Sequence, residues 1–100
     1  MFFDKERLKY TPESQKTYNN CLAECKKNGW QLHYVPLHMR SIEMCLESVK
    51  EEPDALQFVP EYLKSYEICF EAVKRRIGTI CFVPDSIKYL FHSHNGNDNL

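Results

Sequence analysis

No apolar run in the sequence approaches the length of a bilayer span. The N-terminus, Met1-Phe2-Phe3-Asp4-Lys5-Glu6-Arg7, turns charged too early to hold the apolar stretch of a signal peptide. An excess of either charge is also missing: 13 Lys and Arg stand against 14 Asp and Glu, a net charge of −1. That balance supplies no long-range field to draw in DNA, RNA or an anionic membrane surface. Only 3 glycines occur, none in a phosphate-cradling loop, and there is no serine elbow and no CxxC pair, so no enzyme motif competes for attention. An even set of cysteines is absent as well. Cys21, Cys25, Cys45, Cys69 and Cys81 cannot all pair within one chain, and reduced thiols fit a cytoplasmic setting. The expectation is a soluble, non-enzymatic chain that needs no cofactor and no metal. With 43% apolar and 27% charged residues, its 100 residues are ordinary globular material for one core.

What is present is a repeat. Tyr10-Thr11-Pro12, Tyr34-Val35-Pro36, Phe58-Val59-Pro60 and Phe82-Val83-Pro84 begin 24 residues apart each time. In that register Cys21, Cys45 and Cys69 share a column, as do Lys26, Lys50 and Lys74, and Leu8, Leu32, Leu56 and Ile80. Lys16, Arg40, Lys64 and Lys88 fill a column with bases only. The pattern divides a single domain, 1–94, into repeats 10–33, 34–57 and 58–81 with terminal caps 1–9 and 82–94, followed by a flexible tail, 95–100.

Each repeat carries a helix signal. Ser41 is a good N-cap, and Ile42, Cys45, Leu46 and Val49 follow at the spacing of one helical face. Ser65 precedes Tyr66, Cys69, Phe70 and Val73 in the same way, and Thr17 precedes Tyr18, Cys21, Leu22 and Cys25. The spacing predicts helices near 18–28, 42–52 and 66–76, ended by Gly29, Pro53 and Gly78 as C′ glycines or a helix-stopping proline. The rest of each repeat reads as a short helix or a 3-10 turn, with proline opening a further single turn. Thr79-Ile80-Cys81-Phe82-Val83 has strand propensity, but its counterpart Gln31-Leu32-His33-Tyr34-Val35 does not, and equivalent segments fold alike. A unit this small cannot bury its own apolar face and must stack on its neighbours. The predicted fold is therefore all-α, a short helical-repeat solenoid of three 24-residue repeats.

The runs 41–50 and 58–74, Ser-Ile-Glu-Met-Cys-Leu-Glu-Ser-Val-Lys and Phe-Val-Pro-Glu-Tyr-Leu-Lys-Ser-Tyr-Glu-Ile-Cys-Phe-Glu-Ala-Val-Lys, resemble the tandem A-L-x-Y-V-P-E-x-L-K-T-x-E-x-C-x-x-A-V-K repeats of large bacterial and giant-virus proteins, a domain of unknown function. More distantly the period is similar to that of leucine-rich variant repeats, which alternate an α-helix with a 3-10 helix. The likeness is good across 34–84, weaker in 10–33, where Thr11 and Cys25 stand in Val columns, and lost after Tyr89. It implies a helical-repeat fold and no catalytic residues.

Candidate sites follow from the columns. Thiolates one helical turn apart, as Cys21 and Cys25 are, can bind zinc or act in redox chemistry, yet Cys is also a small hydrophobe suited to a tight interior column, which is the reading preferred for the ladder. His92, His94 and Asp98 form an H-x-H type group in a polar chain end, where fraying is the usual state. Lys16, Arg40, Lys64 and Lys88 would form a basic stripe for nucleic acid or phosphate. Glu13, Glu61 and Asp85 lie three residues before their bases, so charge alternation on a solvated face is the preferred explanation. Solenoids present partner contacts on residues their scaffold does not specify. The least constrained columns hold Trp30, Glu51, Glu52, Arg75 and Arg76, and Trp and Arg are enriched in binding hot spots. Trp30 either anchors a partner there or covers the apolar end of the first repeat. The expected activity is binding to another protein, as an adaptor, an inhibitor or a toxin-neutralising immunity protein.

Overall fold

Three capped helices recur in the predicted register in the computed structural model, which describes residues 8–95 and their side chains as far as Phe91. Helices α1 (Tyr18–Lys27), α2 (Ile42–Glu51) and α3 (Tyr66–Arg75) have 10 residues each. Each starts where a hydroxyl can take an orphan amide. Thr17 Oγ1 accepts from Asn20 N at 3.1 Å, Ser41 Oγ from Met44 N at 3.1 Å and Ser65 Oγ from Ile68 N at 3.3 Å.

The helices end differently from the expectation. Asn28, Glu52 and Arg76 take extended backbone, with φ of −153°, −142° and −147°. Neither Gly29 nor Gly78 has a left-handed φ, so neither is a C′ glycine. The chain turns extended and enters a six-residue 3-10 helix: Gly29–Tyr34, Pro53–Phe58 and Ile77–Phe82. Such segments rarely exceed three or four residues, and with three residues per turn their side chains eclipse at i and i+3. Period three is visible in the burial. Gly29, Leu32 and Val35 are all buried, as are Pro53, Leu56 and Val59. The valine is held extended by the proline after it, which opens a short 3-10 turn at Leu37–Met39 and Glu61–Leu63. Thr79–Val83 is accordingly not a strand, and no strand occurs among the described residues. The chain is all-α.

The pattern breaks once, at the C-terminal end. The column that supplies Thr17, Ser41 and Ser65 as caps holds Tyr89, which cannot cap. The helix that starts just after Pro84 therefore runs straight through as α4 (Asp85–Asn95). Phe91 is buried, although its counterparts Asn19, Glu43 and Glu67 are exposed. Its ring stacks on Tyr66 with centroids 5.0 Å apart. Asn95 thus belongs to α4, whereas 96–100, Met1–Arg7 and the side chains of His92 and His94 lie outside the described residues, as does Asp98.

Consecutive units pack side by side around Leu32, Leu56, Val35, Val59, Val49, Ile68, Cys21, Cys25, Cys45 and Cys69, all buried. The direction of stacking is set by the contacts. Gly29 faces Ser48 and Glu52 of the following helix, and the Cys25 thiol faces the Ser48 side chain. Met44 and Ser48 on α2, and Ile68 and Ala72 on α3, are the buried counterparts of Asn20 and Glu24 on α1. The leading face of α1 is thus polar, with Asn20 exposed and Glu24 itself buried, where those of α2 and α3 are apolar or small.

Candidate functional site

Trp30, Glu51, Glu52, Arg75 and Arg76 lie at or just beyond the C-terminal ends of the helices, and the four charged ones are occupied by the chain itself. Glu51 Oε1 accepts from Gly29 N at 2.8 Å. In the equivalent position one unit later, Arg75 donates to the Lys50 carbonyl. Glu52 Oε2 accepts from Asp54 N at 3.1 Å, capping the 3-10 helix. Arg76 Nη1 then bridges Glu52 Oε2 at 2.6 Å and Asp54 Oδ2 at 2.8 Å, and the Glu52 hydrogen bond holds the guanidinium pKa above its ordinary value. These four charged side chains tie one unit to the next. Trp30 is 40% exposed, and it does not cover the free end of the first repeat. Its ring meets Phe58 of the second unit edge-on at 5.9 Å, beside His33, which lies 4.5 Å from the same ring.

The basic column is not a solvated stripe. Lys16 Nζ donates to the Tyr34 carbonyl at 2.8 Å, Arg40 Nη1 to the Phe58 carbonyl at 2.7 Å and Lys64 Nζ to the Phe82 carbonyl at 2.9 Å. Each base reaches forward to the last residue of the next 3-10 helix, whose terminal carbonyls lack a partner in their own helix. The side chains of Lys16 and Lys64 are only 8% and 7% exposed. Glu13 and Glu61 sit 3.7 and 3.1 Å from them. In the second unit, where Leu37 replaces the acid, Arg40 adds bonds to Val35 O at 2.9 Å and His33 O at 3.1 Å. Lys88 lies inside α4 and pairs with Asp85 at 3.5 Å instead. The cations of the first three units thus point into backbone and present no row of charges to a phosphate chain.

Cys21, Cys25, Cys45 and Cys69 are fully buried and Cys81 is exposed; all five are free thiols. Burial pushes Cys25 and Cys69 up to about 11, Cys45 to about 12, and Cys21 above the ordinary thiol value. A protonated thiol is neither a nucleophile nor a metal ligand. No three His, Cys, Asp or Glu converge on a metal position among the described residues. Folding keeps these protons bound at pH values where the unfolded chain has lost them, so stability falls as pH rises from about 9 toward 12. Denaturant titrations at pH 7 and pH ~10.5 should show that fall, and it should be shallower in Cys45→Ala. Equal slopes would mean that the ladder is not the source.

Sequence reasoning missed three exposed apolar residues toward the N-terminal ends of the helices, two in the short 3-10 turns and one at the start of α2. Leu37 is 64% exposed, Ile42 57% and Tyr62 80%. A signal was available: Leu37 stands in a column that otherwise holds Glu13, Glu61 and Asp85, and Tyr62 in one that holds Ser14, His38 and Ser86. At the leading end a cleft of ≈ 240 Å³ opens among Leu8, Thr11, Gln15, Asn20, Ala23 and Glu24.

With this geometry in view, the comparison with known families is decisive for kinship. The profile of the Domain of unknown function (DUF4116) matches residues 22–64 and again 41–88. The chain belongs to this family. The two DUF4116 matches overlap, so the family's pattern fits at more than one position along the chain, as a repeating sequence requires. No curated protein and no solved structure matches. No helix among the described residues of this DUF4116 chain is long and apolar enough to cross a membrane.

Proposed function

We propose that the chain is a protein-binding module, a short helical-repeat solenoid that acts by occupying another protein's surface as an adaptor or inhibitor, and that the partner docks on the Leu37, Ile42 and Tyr62 edge. The observation that carries this reading is the exposure of three large apolar side chains at positions the stack does not need. Association favours such groups, because contact removes their surface from water. The charged residues of the opposite edge are engaged between units, which leaves them to serve as rim.

Affinity capture with the tagged chain, read by mass spectrometry, tests the reading against Leu37→Ser/Tyr62→Ser. Both side chains are exposed, so the melting curve should stay where it is. The expected result is a partner retained by the parent and weakened by about tenfold or more in the variant, as for hot-spot truncation. An identical set of retained proteins for parent and variant would move the surface elsewhere.

A further inference from the structure

The end of the stack differs from its start. In the first two units the residues that meet the following unit include Gly29 and Leu32, then Pro53 and Leu56, and all four are buried. Their counterparts in the third unit are Ile77, 61% exposed, and Ile80, half-buried; Phe70, the counterpart of half-buried Leu22 and Leu46, is 40% exposed. A face that meets only water should be polar, as Gln15 and Asn20 are on the leading side, both exposed. Here the trailing end is apolar, and it bears Ile and Phe where the inner units bear Gly, Pro and Leu. Pro53 shows that a bulky residue in the Ile77 column is accommodated beneath a following helix, since it is buried under the third unit. Helix α4 covers only part of this face, resting on it through Phe91 against Tyr66 and through half-buried Ile87 and Leu90.

We infer that the trailing face is a docking site for a helix-plus-3-10 unit of the same type carried by another polypeptide, with α4 as its displaceable cover. The inference rests on the protein-binding reading above and names the class of partner. The chain itself supplies the template for the occupant, because the same face is covered in this way twice. The incoming helix presents an apolar residue and, four positions on, a small one, as Met44 and Ser48 do on α2 and Ile68 and Ala72 on α3. A second copy of this chain offers Asn20 and Glu24 at those positions and lacks that stripe. α4 leads directly out of Pro84, into the space the next unit would fill, so it must swing aside.

The probe is a fluorescent peptide of residues 58–82 with Cys69→Ala and Cys81→Ser, titrated with the full chain and read by anisotropy. Binding should saturate, and a peptide with Ile68→Asp/Ala72→Glu should bind about tenfold or more weakly. In the protein, Ile77→Asp should weaken binding by a similar factor with an unchanged melting curve, and Phe91→Ala should strengthen it about threefold by releasing α4. Absence of saturable binding or equal binding of the control peptide would overturn the inference, and no effect of Phe91→Ala would overturn the role of α4. Sedimentation of the chain alone as a dimer that Ile77→Asp dissociates would show a second copy on this face and overturn it too. If partner capture through Leu37 and Tyr62 persists in Ile77→Asp while the peptide fails, the protein-binding reading stands and this inference falls.

Discussion

Gly29→Ala should come close to unfolding the protein, while Gly78→Ala should leave it as stable or slightly more so. A Cβ at position 29 would lie 2.2 Å from the Ser48 carbonyl oxygen and 2.8 Å from Glu52 Cβ. The carbonyl cannot give way cheaply, since it accepts the bond from Glu52 N at 2.8 Å that closes the last turn of α2. Moving Gly29 instead would break its own N–H bond to Glu51. Overpacking against rigid backbone stands at the upper end of its usual range, about 3 kcal/mol, a large fraction of what a domain this small possesses. The melting temperature should drop by roughly 12–24 °C. At Gly78 nothing lies within 4 Å of an added Cβ and the φ is not left-handed; the substitution lowers only the entropy of the unfolded chain, worth about 0.4–1 kcal/mol of stability. Equal melting temperatures for the two variants would contradict the close approach of α2 to the first 3-10 helix.

Arg40→Met should be the most damaging change in the basic column, with a loss on the order of 3 kcal/mol. Three carbonyls, those of Val35, Phe58 and His33, lose a charged donor at once. Removing one partner leaves the other group desolvated and unpaired, which costs more than the bond itself contributes. Lys64→Met removes the carbonyl bond to Phe82 and the pair with exposed Glu61, so about half that loss is expected. Arg40→Lys should fall below both, because a lysine in this column reaches the next unit's terminal carbonyl in the two neighbouring units. Denaturant midpoints of the three variants give the order. If Arg40→Met melts with the parent, the column is surface after all, and a basic face for acidic partners returns.

Much of the architecture was legible because it is local. A hydroxyl three residues before the amide it caps is a property of neighbours in sequence, so Thr17, Ser41 and Ser65 placed three helix starts to the residue. Of the face read from spacing, Cys45, Cys69, Val49 and Val73 are buried, but Ile42, Tyr66 and Phe70 are exposed, and Met44, Ile68, Ser48 and Ala72 are buried instead because the next unit packs on their side; the Cys ladder is core because Cys is small and apolar. The helix ends were harder. Gly29 looks like a stop signal, yet its glycine is demanded by a carbonyl on the next helix, which no local pattern reveals. The same limit applies to Arg75 and Arg76: their column looked free because its residue types vary, but Glu51 and Arg75 make different bonds to the preceding unit from the same position. Variation marked a change of partner within the chain rather than a surface left open.

By itself the sequence determined the period, the helix starts, the all-α class and the interior Cys column, since each depends on propensity and on side chains that meet at fixed short offsets. Tertiary structure alone decided where the long side chains go. Lys16, Arg40 and Lys64 bond carbonyls 18 residues ahead, a distance bridged only once units stack, and a flexible stem ending in charge can point to water or to backbone with equal local ease. It also decided what stays open. Leu37, Ile42, Tyr62 and Ile77 are apolar by type, and burial is the default expectation for such residues; Leu37 and Tyr62 are exposed because their columns face water in every unit, with Glu13, Glu61, Ser14 and His38 exposed as well, and Ile77 is exposed because the unit that would cover it is replaced by a helix that Tyr89 could not cap.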